Sequence, residues 1–132
     1  GWALILLGCH IGKPEYIEAG RHAFAYEATQ FDSKERNWYD LRTSVVTKGS
    51  PGPKFAYYWC SGSAGIGLSR IASWALLGKN DEELLCEAYT ALNTTLRSLN
   101  QLDNDSLCHG TSGNAELLLR FSKLANHPYL KM

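Results

Sequence analysis

Apolar residues from Trp2 to Leu7 run without polar interruption, as in a helix or strand buried on all sides. Gly8 and Gly12 close that run. From Pro14 the pattern changes. Pro14 stands where a helix starts, Glu15 and Glu18 occupy the early turns, and Tyr16, Ile17, Ala23 and Phe24 recur at helical spacing. This predicts an amphipathic helix to about Gln30, with Gly20 as its weak point because an interior glycine costs about 1 kcal/mol relative to alanine. Residues 32–58 carry Asp32, Asn37, Asp40, Gly49, Pro51, Gly52 and Pro53, too many breakers for one regular element, and predict a long loop with short pieces of order. Gly65 to Leu77 is apolar again through Ile66, Leu68, Ile71, Ala72, Ala75 and Leu76, with Arg70 among its few polar residues. A mostly buried helix is expected there. Asn80 or Asp81 can cap the next helix, in which Leu84, Leu85, Ala88, Leu92, Leu96 and Leu99 repeat every three or four residues. After a loop at 100–107, Gly113 opens a third apolar helix, Ala115 to Leu124, and Asn126-His127-Pro128 ends it.

Buried and amphipathic helices thus alternate, with a glycine at the head of each buried one. Such alternation is a helix-pair repeat. Apolar inner helices and amphipathic outer ones close most economically into a ring of two concentric layers, so the expected fold is all-α, part of an α/α toroid. A chain of 132 residues that is 45% hydrophobic is large enough for one domain with a core. Thirteen basic and 13 acidic residues balance, so net charge favours no polyanion and nucleic acid is not expected as a partner. Four cysteines are too sparse for a disulfide-stapled secreted domain, and a reducing cytoplasm is expected. Leu6-Leu7-Gly8-Cys9 looks like a lipoprotein cleavage box, but no basic segment precedes it and the apolar run is too short to span a bilayer. Both ends read as truncations, with His127 to Met132 resembling a helix that begins and stops.

Two stretches carry the chemistry. Trp59-Cys60-Ser61-Gly62-Ser63-Ala64-Gly65-Ile66 and Leu107-Cys108-His109-Gly110-Thr111-Ser112-Gly113-Asn114 each join a thiol, a GxxG turn and an apolar helix. Cys108 follows Cys60 by the same 48 residues that separate Gly113 from Gly65, so thiol and turn repeat as one unit. Flanking glycines let a loop enter a helix closely and leave N–H groups facing a ligand. A thiolate ahead of such a turn is favoured by the helix dipole, and more strongly by a metal. Cys60, Cys108 and His109 form a soft ligand set of the type zinc selects, with a fourth position left open. Cys9-His10 has no such turn and reads as core or helix end; Cys86 reads as a partly buried bystander, His22 as solvated and His127 as a turn residue.

Trp59-Cys60-x-Gly62-x-x-Gly65-Ile66-Gly67, followed by Cys108-His109-Gly110-x-x-Gly113-Asn114-Ala115-Glu116, resembles the lanthionine synthetase C-like family. Phe31-Asp32 with Asn37-Trp38-x-Asp40-Leu41-Arg42 is similar to one branch, the cyclase end of type 2 lanthipeptide synthetases (LanM). The resemblance implies an α/α toroid and Zn2+ held by Cys60, Cys108 and His109, with residues 1–132 the C-terminal part of a cyclase domain cut at both ends. It also implies an activity: a precursor-peptide cysteine is added as thiolate to dehydroalanine or dehydrobutyrine, forming lanthionine or methyllanthionine rings. The implied partner is a dehydrated precursor peptide, leader plus core, and the branch allows a preceding dehydratase domain and association with a peptide exporter. The family's general-acid histidine would fall just upstream of Gly1, so the catalytic acid and the substrate-binding residues are unassigned in this chain. Ala56 stands where some stand-alone cyclases have an arginine, and Ser61 where some have an aromatic. Two other readings remain open, a zinc- and glutathione-binding protein of the same family that makes no rings, and a metal-free helical scaffold.

Overall fold

The computed structural model describes residues 1–41 and 55–125, with the backbone alone at Ala125. Arg42, the breakers Gly49, Pro51, Gly52 and Pro53, and Asn126-His127-Pro128 lie outside the described residues. Helix α1 spans Trp2–Ile11 and α2 Pro14–Ala28; strands β1 (Phe31–Asp32) and β2 (Asn37–Trp38) follow; then come α3 (Ser63–Leu76), α4 (Glu82–Ser98, extended by a 3-10 turn at Leu99–Gln101) and α5 (Thr111–Ala125). The chain is all-α, apart from this two-stranded hairpin. No helix among the described residues is long and apolar enough to cross a membrane.

Gly12, Pro14 and Asp81 act at helix ends as expected, whereas Gly8 lies inside α1 and does not close it. Gly12 terminates α1 in the left-handed conformation at φ 69°, which costs glycine no Cβ clash. Pro14 occupies the first turn of α2. Asp81 rather than Asn80 caps α4, its side chain accepting from the Leu84 N–H at 3.1 Å. In the segment expected to be loop, Asp32 Oδ1 accepts from the N–H groups of Lys34 and Glu35, each at 2.9 Å, and this turn joins β1 to β2. The Asn37 amide is fully buried and donates to the Ala56 carbonyl at 3.1 Å, fastening the hairpin to the segment that leads into α3.

Helix α3 is the hub: it packs on α1, α4 and α5, while α2 packs on α1. Ile5, Phe24, Ile71, Trp74, Leu117 and Phe121 form much of the core between them. Small residues set the spacings. A Cβ at Gly67 would come within 3.1 Å of Ala91 Cβ and 2.9 Å of the Leu117 side chain, so α3 lies close against both α4 and α5. Gly20 likewise lets α2 approach α1, since a Cβ there would meet Ile5 Cγ1 at 2.6 Å. The expected weak point of α2 is therefore a contact point.

Three expectations need correction. Helix α1 is not buried all round: Ile5 and Gly8 are buried, but Trp2, Leu6, Leu7 and Ile11 are 42–47% exposed, because α2 and α3 cover only part of its circumference. Helix α5 buries Leu117 and Phe121 while Leu119 is 58% exposed, for the same reason. On α4, Leu84 and Ala88 are buried as expected and Leu85 and Leu92 pack partly buried against the core, but the buried stripe continues through Ala91, Thr94, Thr95 and Ser98, and Leu96 faces outward. Close approach to Gly67 selects small side chains on that stripe, and Thr95 Oγ1 donates to Ser63 Oγ at 2.9 Å inside it.

The Asp81 cap has a pH signature. Partial burial pushes its carboxyl up, but the Leu84 N–H and the Arg21 guanidinium outweigh that and hold it below the ordinary value of 3.8. A carboxylate so depressed adds stability above its unfolded pKa and loses it as pH falls through the folded value. Asp81→Ala is expected to cost about 1 kcal/mol at neutral pH, with the gap to the parent closing below about pH 4. Denaturant melts at both pH values check this; a gap of constant size would contradict it.

Candidate metal centre

Both thiol motifs are built on the same backbone contact. A Cβ on Gly62 would overlap the Ala56 carbonyl oxygen, and one on Gly110 the Asn104 carbonyl oxygen; a Cβ on Gly65 would overlap the Trp59 carbonyl oxygen, and one on Gly113 that of Leu107. In each copy, then, the second glycine makes room for the residue immediately before the cysteine. Gly62 adopts φ 97°, so a side chain there would also be strained. The paired glycines thus fold each thiol back over the first turn of its own helix, α3 for Cys60 and α5 for Cys108. These helices begin at Ser63 and Thr111, so the second glycine of each turn lies inside the first helical turn, two residues later than expected of a helix opener.

The two turns also meet each other. Cys60 N–H donates to the Cys108 carbonyl at 3.4 Å, and a Cβ on Gly113 would lie 2.7 Å from Trp59 Cβ. Cys60 Sγ and His109 Nε2 are 3.4 Å apart, and the donor atoms of Cys60, Cys108 and His109 all lie within 4.8 Å of one another. Zinc bonds of about 2.0–2.3 Å in a tetrahedron place ligand atoms about 3.5 Å apart. The three residues are therefore close enough to hold a metal ion, and two thiols with an imidazole suit zinc.

Support for His109 comes from its own loop and from Tyr58. Its N–H donates to Ser106 Oγ at 3.2 Å, and the Tyr58 ring meets the imidazole edge-on at 5.2 Å between centroids. The loop is tied down as well: Ser106 N–H donates to Asn104 Oδ1 at 2.9 Å, and Ser112 Oγ to the Asp105 carbonyl at 2.6 Å. All three candidate ligands reach solvent, as a site open to a large substrate requires.

Among the described residues, the other cysteines and histidines lie apart from this cluster. Cys9 and His10 end α1 and are exposed, a helix end and not core. Cys86 is exposed, where partial burial was expected. His22 is solvated beside Glu18. Ala56 is buried at 6% exposure, so an arginine there would have to displace packed structure.

Beside Cys60 the chain forms two adjoining clefts that the sequence had not marked. One, of about 240 Å³, is walled by Tyr26, Glu27, Trp38, Tyr39 and Ile66; the other, of about 290 Å³, by Glu27, Trp59, Ser61 and Ser69. Tyr39 stacks on Phe55 and donates its hydroxyl to Asp32 at 2.8 Å. That hydrogen bond holds the phenol above its ordinary pKa of 10.0, as a neutral donor. Across α3, a groove of Trp2, Trp59, Leu68, Glu116 and Arg120 brings the N-terminal end of α1 beside the first motif. Trp59 and Ser61 belong to the first motif and Trp38 and Tyr39 to the hairpin segment marked in the sequence, but the other walls come from α1, α2, α3 and α5 and are brought together only by the fold.

No curated protein and no solved structure matches the chain. The family model described as lanthionine synthetase C-like protein matches residues 1–132, which is the full length of the sequence, and the chain belongs to that family.

Proposed function

We propose that this chain is part of a zinc-dependent cyclase that closes thioether rings in a dehydrated lanthipeptide precursor. One observation carries the reading: in a member of this family, Cys60, Cys108 and His109 bring their donor atoms within 4.8 Å of one another. Cys60 and Cys108 as thiolates, with His109 as neutral imidazole, would hold the ion and leave one position for a peptide thiol. Bound there, zinc supplies deprotonation of a thiol that is otherwise only a few per cent ionised near neutral pH. The new bond joins the peptide sulfur to the β-carbon of a dehydro residue, and the α-carbon takes up a proton, so an acid is required.

The expected histidine ahead of Gly1 is compatible with this geometry. Trp2 shares a groove with Trp59, the neighbour of Cys60, so the start of α1 lies near the first motif. Helices α1 and α5 both pack on α3, with α2 on α1 and α4 on α3, which is compatible with a toroid of helix pairs. Free thiols at all four cysteines fit a reducing compartment.

The test is direct. A dehydrated precursor with one cysteine is incubated with the zinc-loaded protein and then treated with a thiol-alkylating reagent. Ring closure leaves the mass unchanged and removes the alkylatable thiol, and a chelator should prevent that removal. A peptide that stays alkylatable while the protein retains zinc and binds glutathione would instead support a thiol-binding module.

A further inference from the structure

Among the described residues, the charged side chains lining the clefts beside Cys60 are of one sign: Glu27 and Asp40 are acidic, and none is lysine or arginine. Glu27 borders both clefts, and its carboxylate accepts from Arg70 Nη1 at 2.6 Å. Arg70 also donates from Nε to Glu87, and its side chain is fully buried. One guanidinium facing two carboxylates leaves one negative charge uncompensated, and its more accessible end is Glu27, 39% exposed against 19% for Glu87.

Aromatic side chains share the remaining walls with small, polar and aliphatic residues such as Gln30, Ser61 and Ile66. Tyr26, Trp38 and Tyr39 line the first cleft, and Trp59 the second. Trp38 is 4% exposed, its ring packed against Phe31 at 4.8 Å between centroids. A carboxylate among aromatic faces is the chemistry that accepts a cationic side chain, through ion pairing together with cation–π attraction.

We propose that this aromatic, acidic cleft seats the peptide residue adjoining the reacting cysteine, and that Glu27 selects lysine or arginine at that place. The assignment rests on the cyclase reading and adds a preference which that reading does not contain.

Three dehydrated peptides, alike except for lysine, glutamine or glutamate next to the cysteine, test it with the zinc-loaded protein. The expected kcat/KM falls in that order, with lysine about fivefold ahead of glutamine. Glu27→Gln should bring those two within about twofold, and added salt should narrow the gap in the parent. Glu87→Gln frees the same arginine but does not border the clefts, so it should keep the order and serve as the control for loosened packing. Equal rates for the three peptides on the parent, or an order unaltered by Glu27→Gln, would overturn the assignment. If the parent closes no ring in any peptide, the cyclase reading fails. Dissociation constants for peptides with serine in place of cysteine then decide the charge preference, and a flat series sinks it.

Discussion

Cys60→Ala and His109→Ala proteins are expected to lose bound zinc, about one ion per chain in the parent, and to form no thioether ring. Each substitution removes one of three donors, and a site left with two protein ligands falls below the three that catalytic zinc sites ordinarily have. Changes outside the ligand set commonly cost 10- to 100-fold in metal affinity, so loss of a ligand should exceed about 100-fold. The rate should fall by at least a similar factor, because the incoming thiol returns to the few per cent ionisation it has in water. Metal analysis of the purified proteins and the alkylation assay measure the two losses separately. Cys86→Ala and Cys9→Ala are the controls: both thiols are exposed and lie outside the cluster, so zinc content and ring closure should match the parent. Retained zinc with full ring closure in His109→Ala would rule out the assignment.

Arg70→Ala should be the most damaging substitution away from the metal centre. Its side chain has no solvent exposure, spans from α3 to Glu27 on α2 and Glu87 on α4, and stacks over the Phe24 ring at 3.9 Å. Removing one partner of a buried ion pair costs about 3–5 kcal/mol. Since Glu27 and Glu87 are partly hydrated and recover some solvation, the expected loss lies at the low end, about 3 kcal/mol. The cost comes from stranded carboxylates and lost packing more than from the attraction itself. It follows that Arg70→Met combined with Glu27→Gln and Glu87→Gln should restore a large part of the stability, which denaturant midpoints would show. A triple variant as unstable as Arg70→Ala would mean that the arginine acts through shape alone.

Much of the candidate centre was legible from spacing. Cys60 and Cys108 share a place in a repeat, and the repeat proved to be physical, because both glycines of each copy sit against carbonyls at the same offset. Helix starts and stops were legible for a related reason: Pro14, Gly12 and Asp81 act on backbone groups within a few residues of themselves. Burial was less legible. Leu6, Leu96 and Leu119 are as apolar as any core residue and still face outward, since apolar character does not state which neighbour covers it. Arg70 shows the converse, a charged residue at zero exposure made tolerable by two carboxylates 43 and 17 residues away.

The amino-acid sequence alone determined the helix-pair repeat, the all-α class and the three candidate soft ligands. Each of these depends on side-chain chemistry and on contacts within one motif, and both are written locally. Only the tertiary structure decided that the three donors converge, that α3 is the hub, and that Glu27, Trp38 and Tyr39 stand beside Cys60. Those facts depend on how closely helices cross. That distance is set by residues such as Gly20, Gly67 and Ala91, which meet partners from distant parts of the chain and leave no periodic trace in their own neighbourhood.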